Sequence, residues 1–154
     1  QATPLIPLDR SRCSGNGVIQ PTLWESAPGH AHMLLRGTGG RVCRSDSTDG
    51  GRTWSEIVPT DLPNNNSGLD VARLADGRLA LICNPVESRA RTPLSLLFSR
   101  DNGQSWPERI DLETEPGEYS YPAIIATADG GLAVTYTWQR ERIVWVRLAP
   151  QSAG

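Results

Sequence analysis

The amino-acid sequence predicts an all-β fold assembled from repeated four-stranded sheets. Three observations predict it: one turn motif recurs at a fixed spacing, short apolar runs alternate with turn residues, and helical periodicity is missing. The 154 residues include 15 Gly and 12 Pro, a proportion typical of a chain that reverses direction often. No segment keeps a 3.6-residue apolar period over ten residues.

The recurring turn motif reads S-x-D-x-G-x-[ST]-W. It occurs as STDGGRTW at 47–54 and as SRDNGQSW at 99–106, which is 52 positions later. A second pair of similar segments, LADGRLALIC around Asp76 and TADGGLAVTY around Asp129, is offset by 53 positions. Repeats of about 50 residues are typical of propellers and arrays. Together with four short strands per repeat, this period predicts the blades of a β-propeller.

The individual strands follow from short apolar runs bounded by Gly, Pro, Asn and Asp. The first repeat contains GVIQPTLWE, HAHMLLRGT, RVCRSDS and SEIVPTDL, and the second contains GLDVARL, RLALICN, LSLLFSR and PERIDLE. The third repeat, with SYPAIIATA, GLAVTYTW and RIVWVRL, lacks a fourth strand. These segments predict eleven strands in a single partial propeller domain over 1–154, with blades at about 17–62, 66–115 and 119–148.

The number of blades predicts that additional protein completes the ring. Closed propellers typically have 4 to 8 blades, whereas this chain has fewer than three. We interpret the chain as a processed product or a fragment, and we expect missing N-terminal blades or another chain to close the propeller. Without them, the end sheets would expose unpaired edges and apolar faces.

Composition excludes several function classes. A net charge of -2 argues against nucleic-acid binding, and 38% hydrophobic residues with five Trp argue against disorder. No apolar run approaches the roughly 18 residues of a membrane span. Cys13, Cys43 and Cys83 lie outside any CxxC or Cys/His cluster, and no phosphate-binding or dinucleotide-binding motif is present. The sequence therefore predicts neither a metal site nor a cofactor, and it leaves the compartment undetermined.

The two turn motifs resemble Asp-boxes, the BNR repeats of sialidases and related propellers. In this motif, the carboxylates of Asp49 and Asp101 would accept hydrogen bonds from the backbone of their own turns. The motifs therefore indicate fold and family rather than a catalytic site. The resemblance extends over about 17–148 and is to the C-terminal half of a six-bladed bacterial sialidase. It implies a partial six-bladed β-propeller of sialidase type, with about two and three-quarter four-stranded blades.

The resemblance also implies the residues of a site. Sialidases bind the sugar carboxylate with three arginines and attack the anomeric carbon with a tyrosine, an exception to the two-carboxylate rule of glycosidases. Arg91 precedes the second Asp-box, and the resemblance implies that it is a carboxylate-binding arginine. Tyr119 follows 28 positions after Arg91, and the resemblance implies that it is the nucleophile. Gln20 and Arg36 are 16 positions apart, matching the family's glutamate and second arginine.

Two positions depart from the family pattern. Gln20 has an amide where the family has a carboxylate, and an amide cannot accept the proton of a tyrosine. Thr137 stands near the position of a second family glutamate. Asp70 offers a carboxylate near the same rim, although we favour its interpretation as a polar strand residue. The first arginine and the proton-handling aspartate of the family have no counterpart in this chain.

The resemblance implies an exo-sialidase that releases a terminal acidic sugar, incomplete as this chain alone, with an acidic glycan as its substrate. Two alternatives remain open: a lyase or hydrolase that acts on uronic-acid polysaccharides, and a non-catalytic carbohydrate-binding BNR protein. His32 would share a strand face with Arg36 and could serve as the base of a lyase, but we favour an exposed strand start after Pro28-Gly29 as its interpretation. The amides of the loop beginning at Asn64 could bind sugar hydroxyls.

Overall fold

The computed structural model describes residues 2–150, and this part of the chain contains eleven strands in three antiparallel sheets. Each predicted strand segment is confirmed as one strand. The chain divides into two compact units. Unit 1 comprises Gln1–Ser67 and Pro85–Arg89, and unit 2 comprises Gly68–Asn84 and Ala90–Gly154.

Unit 1 contains a four-stranded antiparallel sheet in which neighbours in sequence are neighbours in space. Its strands are β1 (Val18–Ala27), β2 (His30–Gly37), β3 (Arg41–Ser47) and β4 (Val58–Pro63). The segment before β1 packs on this sheet, because Leu8 pairs with Ile57 and the Asp9 amide donates to the Ile57 carbonyl at 3.1 Å. The buried core between them consists of Cys13, Met33, Leu35, Cys43 and Ile57.

Unit 2 contains one four-stranded and one three-stranded sheet. Their strands are β5 (Asp70–Arg73), β6 (Leu79–Cys83), β7 (Leu94–Ser99) and β8 (Glu108–Glu113), followed by β9 (Tyr119–Ala126), β10 (Leu132–Trp138) and β11 (Arg142–Leu148). The two sheets share one hydrophobic core, which includes Ile82, Leu96, Phe98, Ile124 and Val134. β6 lies between β5 and β7, and all five of its residues are buried.

The three-stranded sheet has one face on which large apolar side chains remain exposed. On β11, Val144 and Val146 pack against the shared core of unit 2. The alternate residues Ile143 and Trp145 are 68% and 62% exposed, and Ile125 on β9 is 63% exposed. Alternating strand residues point to opposite faces of a sheet, so these three side chains lie on the side away from the core.

The Asp-boxes form the turns from β3 to β4 and from β7 to β8, as the sequence predicts. Asp49 accepts hydrogen bonds from the amides of Arg52 and Thr53, both at 2.9 Å. Asp101 accepts them from the amides of Gln104 and Ser105, at 3.1 and 2.9 Å. Both carboxylates therefore stabilise their own turns, which confirms the structural interpretation of the motif.

Candidate functional site

Gln20 and Arg36 lie close together on the first hairpin of unit 1. Ile19 pairs with Arg36 and Pro21 pairs with Leu35, so Gln20 is the extra residue of a β-bulge. Its φ of 53° falls in the left-handed region, which is unfavourable for a residue with a side chain. Bulges redirect a side chain, and strained backbone is frequent at functional sites.

Arg36 keeps a hydrogen-bond donor without a partner. Its side chain is partly buried, and among residues 2–150 its buried Nε makes no hydrogen bond. Leaving a buried donor unpaired costs about 1–3 kcal/mol, and more for a charged group. Arg36 is therefore suited to bind an anion.

Arg91 and Tyr119 are brought together in unit 2. The Tyr119 amide donates to the Arg91 carbonyl at 3.1 Å, and Arg91 forms an isolated parallel bridge with Glu118. The side chain of Tyr119 is only 2% exposed and belongs to the core. A Cβ atom at Gly117 would collide with the side-chain amide of Gln139 and lie 3.1 Å from the Tyr119 hydroxyl oxygen, so the glycine lets the Gln139 side chain pack close to this hydroxyl.

The Arg91 guanidinium is held by charge and by an aromatic ring. Its Nη1 lies 3.5 Å from Glu118 Oε1, and its Cζ lies 5.4 Å from the centre of the Tyr121 ring. The single N–H of Arg140 Nε is shared between both oxygens of the Glu118 carboxylate, at 3.0 and 2.9 Å. Arg91 Nη1 is buried and makes no hydrogen bond among the described residues. Arg91 is therefore oriented by its ion pair with Glu118, while its Nη1 donates no hydrogen bond within residues 2–150.

Two other polar positions from the sequence have structural roles. Asp70 accepts hydrogen bonds from the amides of Ile124 and Val71, at 2.9 and 3.0 Å, and so connects β5 to β9. Asn64 accepts a hydrogen bond from the Ser67 amide and donates one to the Ser67 carbonyl, at 3.2 and 3.3 Å. These side chains stabilise the backbone around them.

Sequence reasoning missed a tyrosine–glutamate pair next to Thr137. The Tyr136 hydroxyl donates to Glu113 Oε1, and Tyr136 is 3% exposed within the core of unit 2. Burial, and secondly the bond to Glu113, raise the pKa of Tyr136 well above its usual range. The alternation of Leu132, Val134 and Tyr136 on one strand face could have predicted this burial, and a buried tyrosine hydroxyl needs a partner.

The expectation that His32 begins an exposed strand is wrong. His32 is 8% exposed, and its Nδ1 lies 2.5 Å from Asp46 Oδ1 while its Nε2 lies 2.7 Å from Ser26 Oγ. Cross-strand pairing places Asp46 directly opposite His32. The sequence alternation did not identify this partner, because Asp46 lies 14 positions away.

Neither a metal cluster nor a membrane-spanning helix occurs in the described part of the chain. No group of three or more His, Cys, Asp or Glu residues within 2–150 could hold a metal ion. No helix in this range is long and apolar enough to cross a membrane.

Comparison with known proteins places the chain among sialidase-like propellers. The BNR repeat-like domain family matches residues 6–134. The sialidase of Micromonospora viridifaciens is 27% identical over 99 residues, which cover 58% of this chain and 15% of that protein.

Solved structures show the same fold. A mutant of the NanB sialidase from Streptococcus pneumoniae has a TM-score of 0.71 at 18% identity over 84% of this chain and 23% of its own. The intramolecular trans-sialidase from Ruminococcus gnavus, solved with oseltamivir carboxylate, has a TM-score of 0.69 at 20% identity over 94% of this chain and 35% of its own. The chain thus spans well under half the length of these relatives.

The family match covers most of the chain, and the three sheets and both Asp-box turns agree with it. The chain therefore belongs to the BNR repeat-like domain family and has the fold of a portion of a sialidase β-propeller.

Proposed function

We propose that this chain is part of a glycosidase of exo-sialidase type that releases a terminal acidic sugar. In this proposal, Arg36 and Arg91 bind the sugar carboxylate, Tyr119 is the nucleophile, and Gln20 contacts the substrate. The sialidase relative from Micromonospora viridifaciens and the family match support the reaction class.

One observation carries the arginine assignment. Arg36 Nε and Arg91 Nη1 are the charged side-chain atoms that are buried and lack a hydrogen bond within residues 2–150, and both arginines were selected from the sequence alone. A substrate carboxylate would accept these hydrogen bonds. Each charge-assisted bond is worth about 1.5–3 kcal/mol net.

Tyr119 would act as a neutral nucleophile. Its phenolic oxygen forms a bond to the anomeric carbon while the glycosidic C–O bond breaks, and the phenolic proton passes through water to the departing glycosidic oxygen. Water later cleaves the glycosyl–tyrosine bond, giving the free sugar and restoring the phenol. A neutral phenol avoids the repulsion that an anionic nucleophile would meet from the substrate's carboxylate. Gln20 donates or accepts hydrogen bonds in this arrangement but cannot accept the phenolic proton.

Binding measurements on the intact protein test the arginines. Arg36→Ala or Arg91→Ala should weaken the binding of an acidic sugar about tenfold or more, since about 1.4 kcal/mol corresponds to a factor of ten. Arg100→Ala is the matched control, because Arg100 pairs with Glu108 at an exposed position. Wild-type affinity in both arginine variants would overturn the carboxylate assignment.

Turnover measurements test the nucleophile. Tyr119→Phe should keep binding and lose hydrolysis, because only the hydroxyl is removed, whereas Tyr121→Phe changes an exposed tyrosine and serves as the control. Full activity of Tyr119→Phe on every acidic glycan tested would disprove the assignment. Production of an unsaturated sugar would instead identify a lyase, and binding without turnover in the wild-type protein would identify a carbohydrate-binding module.

A carboxylate at position 20 tests the family mechanism directly. Gln20→Glu supplies the base that sialidases use, and positioned general bases typically contribute about 10²–10⁴-fold. We therefore expect faster hydrolysis of an acidic glycoside by this variant. Unchanged or slower hydrolysis would show that position 20 does not assist Tyr119.

A further inference from the structure

Three neighbouring strands of unit 1 contribute one continuous line of hydrogen bonds. Ser26 lies on β1, His32 on β2 and Asp46 on β3. His32 Nδ1 is 2.5 Å from Asp46 Oδ1, and His32 Nε2 is 2.7 Å from Ser26 Oγ. The carboxylate accepts the Nδ1 proton, so the lone pair of a neutral imidazole lies on Nε2 and faces the Ser26 hydroxyl. The hydroxyl therefore donates to the imidazole.

The imidazole is fixed by its surroundings, whereas the serine is accessible. The Trp24 ring stacks on His32 with centroids 5.1 Å apart, and Arg44 Nε donates to Asp46 Oδ1 at 3.0 Å. Ser26 is only partly buried, and the register of the hairpin shifts between Glu25 and Ala27. A rigid base next to a reachable hydroxyl is a preorganised pair.

This line of hydrogen bonds lies at the opposite end of the hairpin from Gln20. Ser26 lies six positions after Gln20 along β1, which corresponds to about 20 Å at roughly 3.3 Å per residue. Ser26, His32 and Asp46 are therefore separate from Gln20 of the proposed glycosidase site.

We propose that Ser26 is the nucleophile of an acyl-transfer site, with His32 as its general base and Asp46 as the positioning residue. The arrangement of carboxylate, imidazole and hydroxyl is the one that activates serine in hydrolases on unrelated folds. Ser26 Oγ forms a bond to the carbonyl carbon of a carboxylic ester, and its proton passes to His32 Nε2. The bond from the carbonyl carbon to the alcohol oxygen breaks, and the proton returns to that oxygen.

The position of Arg44 defines the class of ester. Its Nη2 lies 3.4 Å from His32 Nδ1, on the side of the ring that faces Asp46 rather than Ser26. Arg44 therefore does not stabilise the negative charge that develops on the carbonyl oxygen, a contribution worth about 10²–10³-fold in hydrolases. We assign activated esters with a good leaving group, such as aryl esters, as the reacting class.

Acylation of the unmutated protein is the first test. The chain is incubated with p-nitrophenyl acetate, and acetylated peptides are quantified by mass spectrometry. Ser11 is the internal comparison, because its hydroxyl donates to Asp9 at 2.6 Å without a histidine. We expect acetylation of Ser26 at a rate about 100-fold or more above that of Ser11. Equal rates at the two serines would overturn the proposal, and this comparison requires no variant.

Variants then assign the roles. His32→Gln should slow acetylation of Ser26 about 100-fold, whereas His30→Gln, which changes an exposed histidine on the same strand, should leave the rate unchanged. Asp46→Asn should also slow the acetylation of Ser26. We expect a downfield proton resonance for His32 Nδ1–H in the unmutated protein, and Asp46→Asn should abolish it. Wild-type acetylation in a folded His32→Gln protein, or a downfield resonance that survives in folded Asp46→Asn, would contradict the proposal.

Discussion

At the residue scale, Asp49 and Asp101 show how a short motif fixes a turn. Hydrogen bonds from Thr53, chiefly from its side chain, lower the pKa of Asp49 to about 2, and those from Ser105 do the same for Asp101. Both bonds form within four positions of the aspartate, so the motif determines its own local structure. Two copies 52 positions apart therefore mark the turns reliably.

These carboxylates predict a loss of stability in acid. A carboxyl group with a lowered folded-state pKa stabilises the fold fully above its unfolded pKa of about 4, and this contribution disappears as the pH falls toward 2. We expect urea denaturation to show a falling free energy of unfolding across that range. Asp101→Asn should lower the free energy of unfolding at neutral pH and make it depend less on pH. Asp61→Asn, at an exposed position, should change neither the free energy of unfolding nor its pH dependence. If the free energy of unfolding of Asp101→Asn falls between about pH 4 and about pH 2 as steeply as that of the unmutated protein, the prediction is wrong.

Two buried thiols should resist alkylation. Burial, with a smaller contribution from neighbouring Cys13, raises the pKa of Cys43 to about 12, and burial raises the pKa of Cys83 to about 12. The thiolate is the reactive form, and at pH 8 a pKa of about 12 leaves roughly one thiol in 10⁴ ionised. Mass spectrometry should find both cysteines unmodified by iodoacetamide in the native protein and modified in urea. Rapid native labelling of either would disprove the prediction.

At the element scale, side chains connect strands that the backbone ladder does not pair. Asp70 on β5 binds the Ile124 amide on β9, and Tyr136 on β10 donates to Glu113 at the end of β8. Neither β5 and β9 nor β8 and β10 are neighbours in one sheet. These polar contacts therefore add to the apolar core that joins the two sheets of unit 2.

Tyr136→Phe tests one of these connections. The substitution removes the hydroxyl proton that Tyr136 donates and leaves the partly buried Glu113 carboxylate without this hydrogen bond. Such a loss typically costs about 1–3 kcal/mol of folding free energy. Urea denaturation should show this decrease, and the exposed Tyr121→Phe should show less than about 0.5 kcal/mol. Equal stability of the Tyr136 and Tyr121 variants would contradict the role of this bond.

At the scale of the whole molecule, the exposed apolar face of the three-stranded sheet predicts self-association. Ile125, Ile143 and Trp145 are each more than 60% exposed on the same face of the sheet, and large exposed apolar side chains favour protein contacts. Light scattering of this chain alone should show particles larger than a monomer, increasing with concentration. Trp145→Lys should reduce the association, and Glu141→Lys, on an exposed turn, is the control. A monodisperse monomer at all concentrations would contradict the prediction.

The sequence alone determined the strands, the Asp-box turns and the family, because each depends on residues close together along the chain. Alternation within five to ten residues marks a strand, and a motif of eight residues contains both the donors and the acceptor of its turn. The resemblance to sialidases also selected Arg91, by its place before the second Asp-box, and Arg36, by its spacing from Gln20.

The tertiary structure decided which side chains meet across strands. His32 forms hydrogen bonds with Ser26 and Asp46 on the two strands beside it, and Tyr136 donates a hydrogen bond to Glu113 in another sheet. Such partners depend on register and on sheet packing, which change with bulges like the one at Gln20. The unpaired nitrogen of Arg36 likewise became evident only with its burial, because an exposed guanidinium would be satisfied by water.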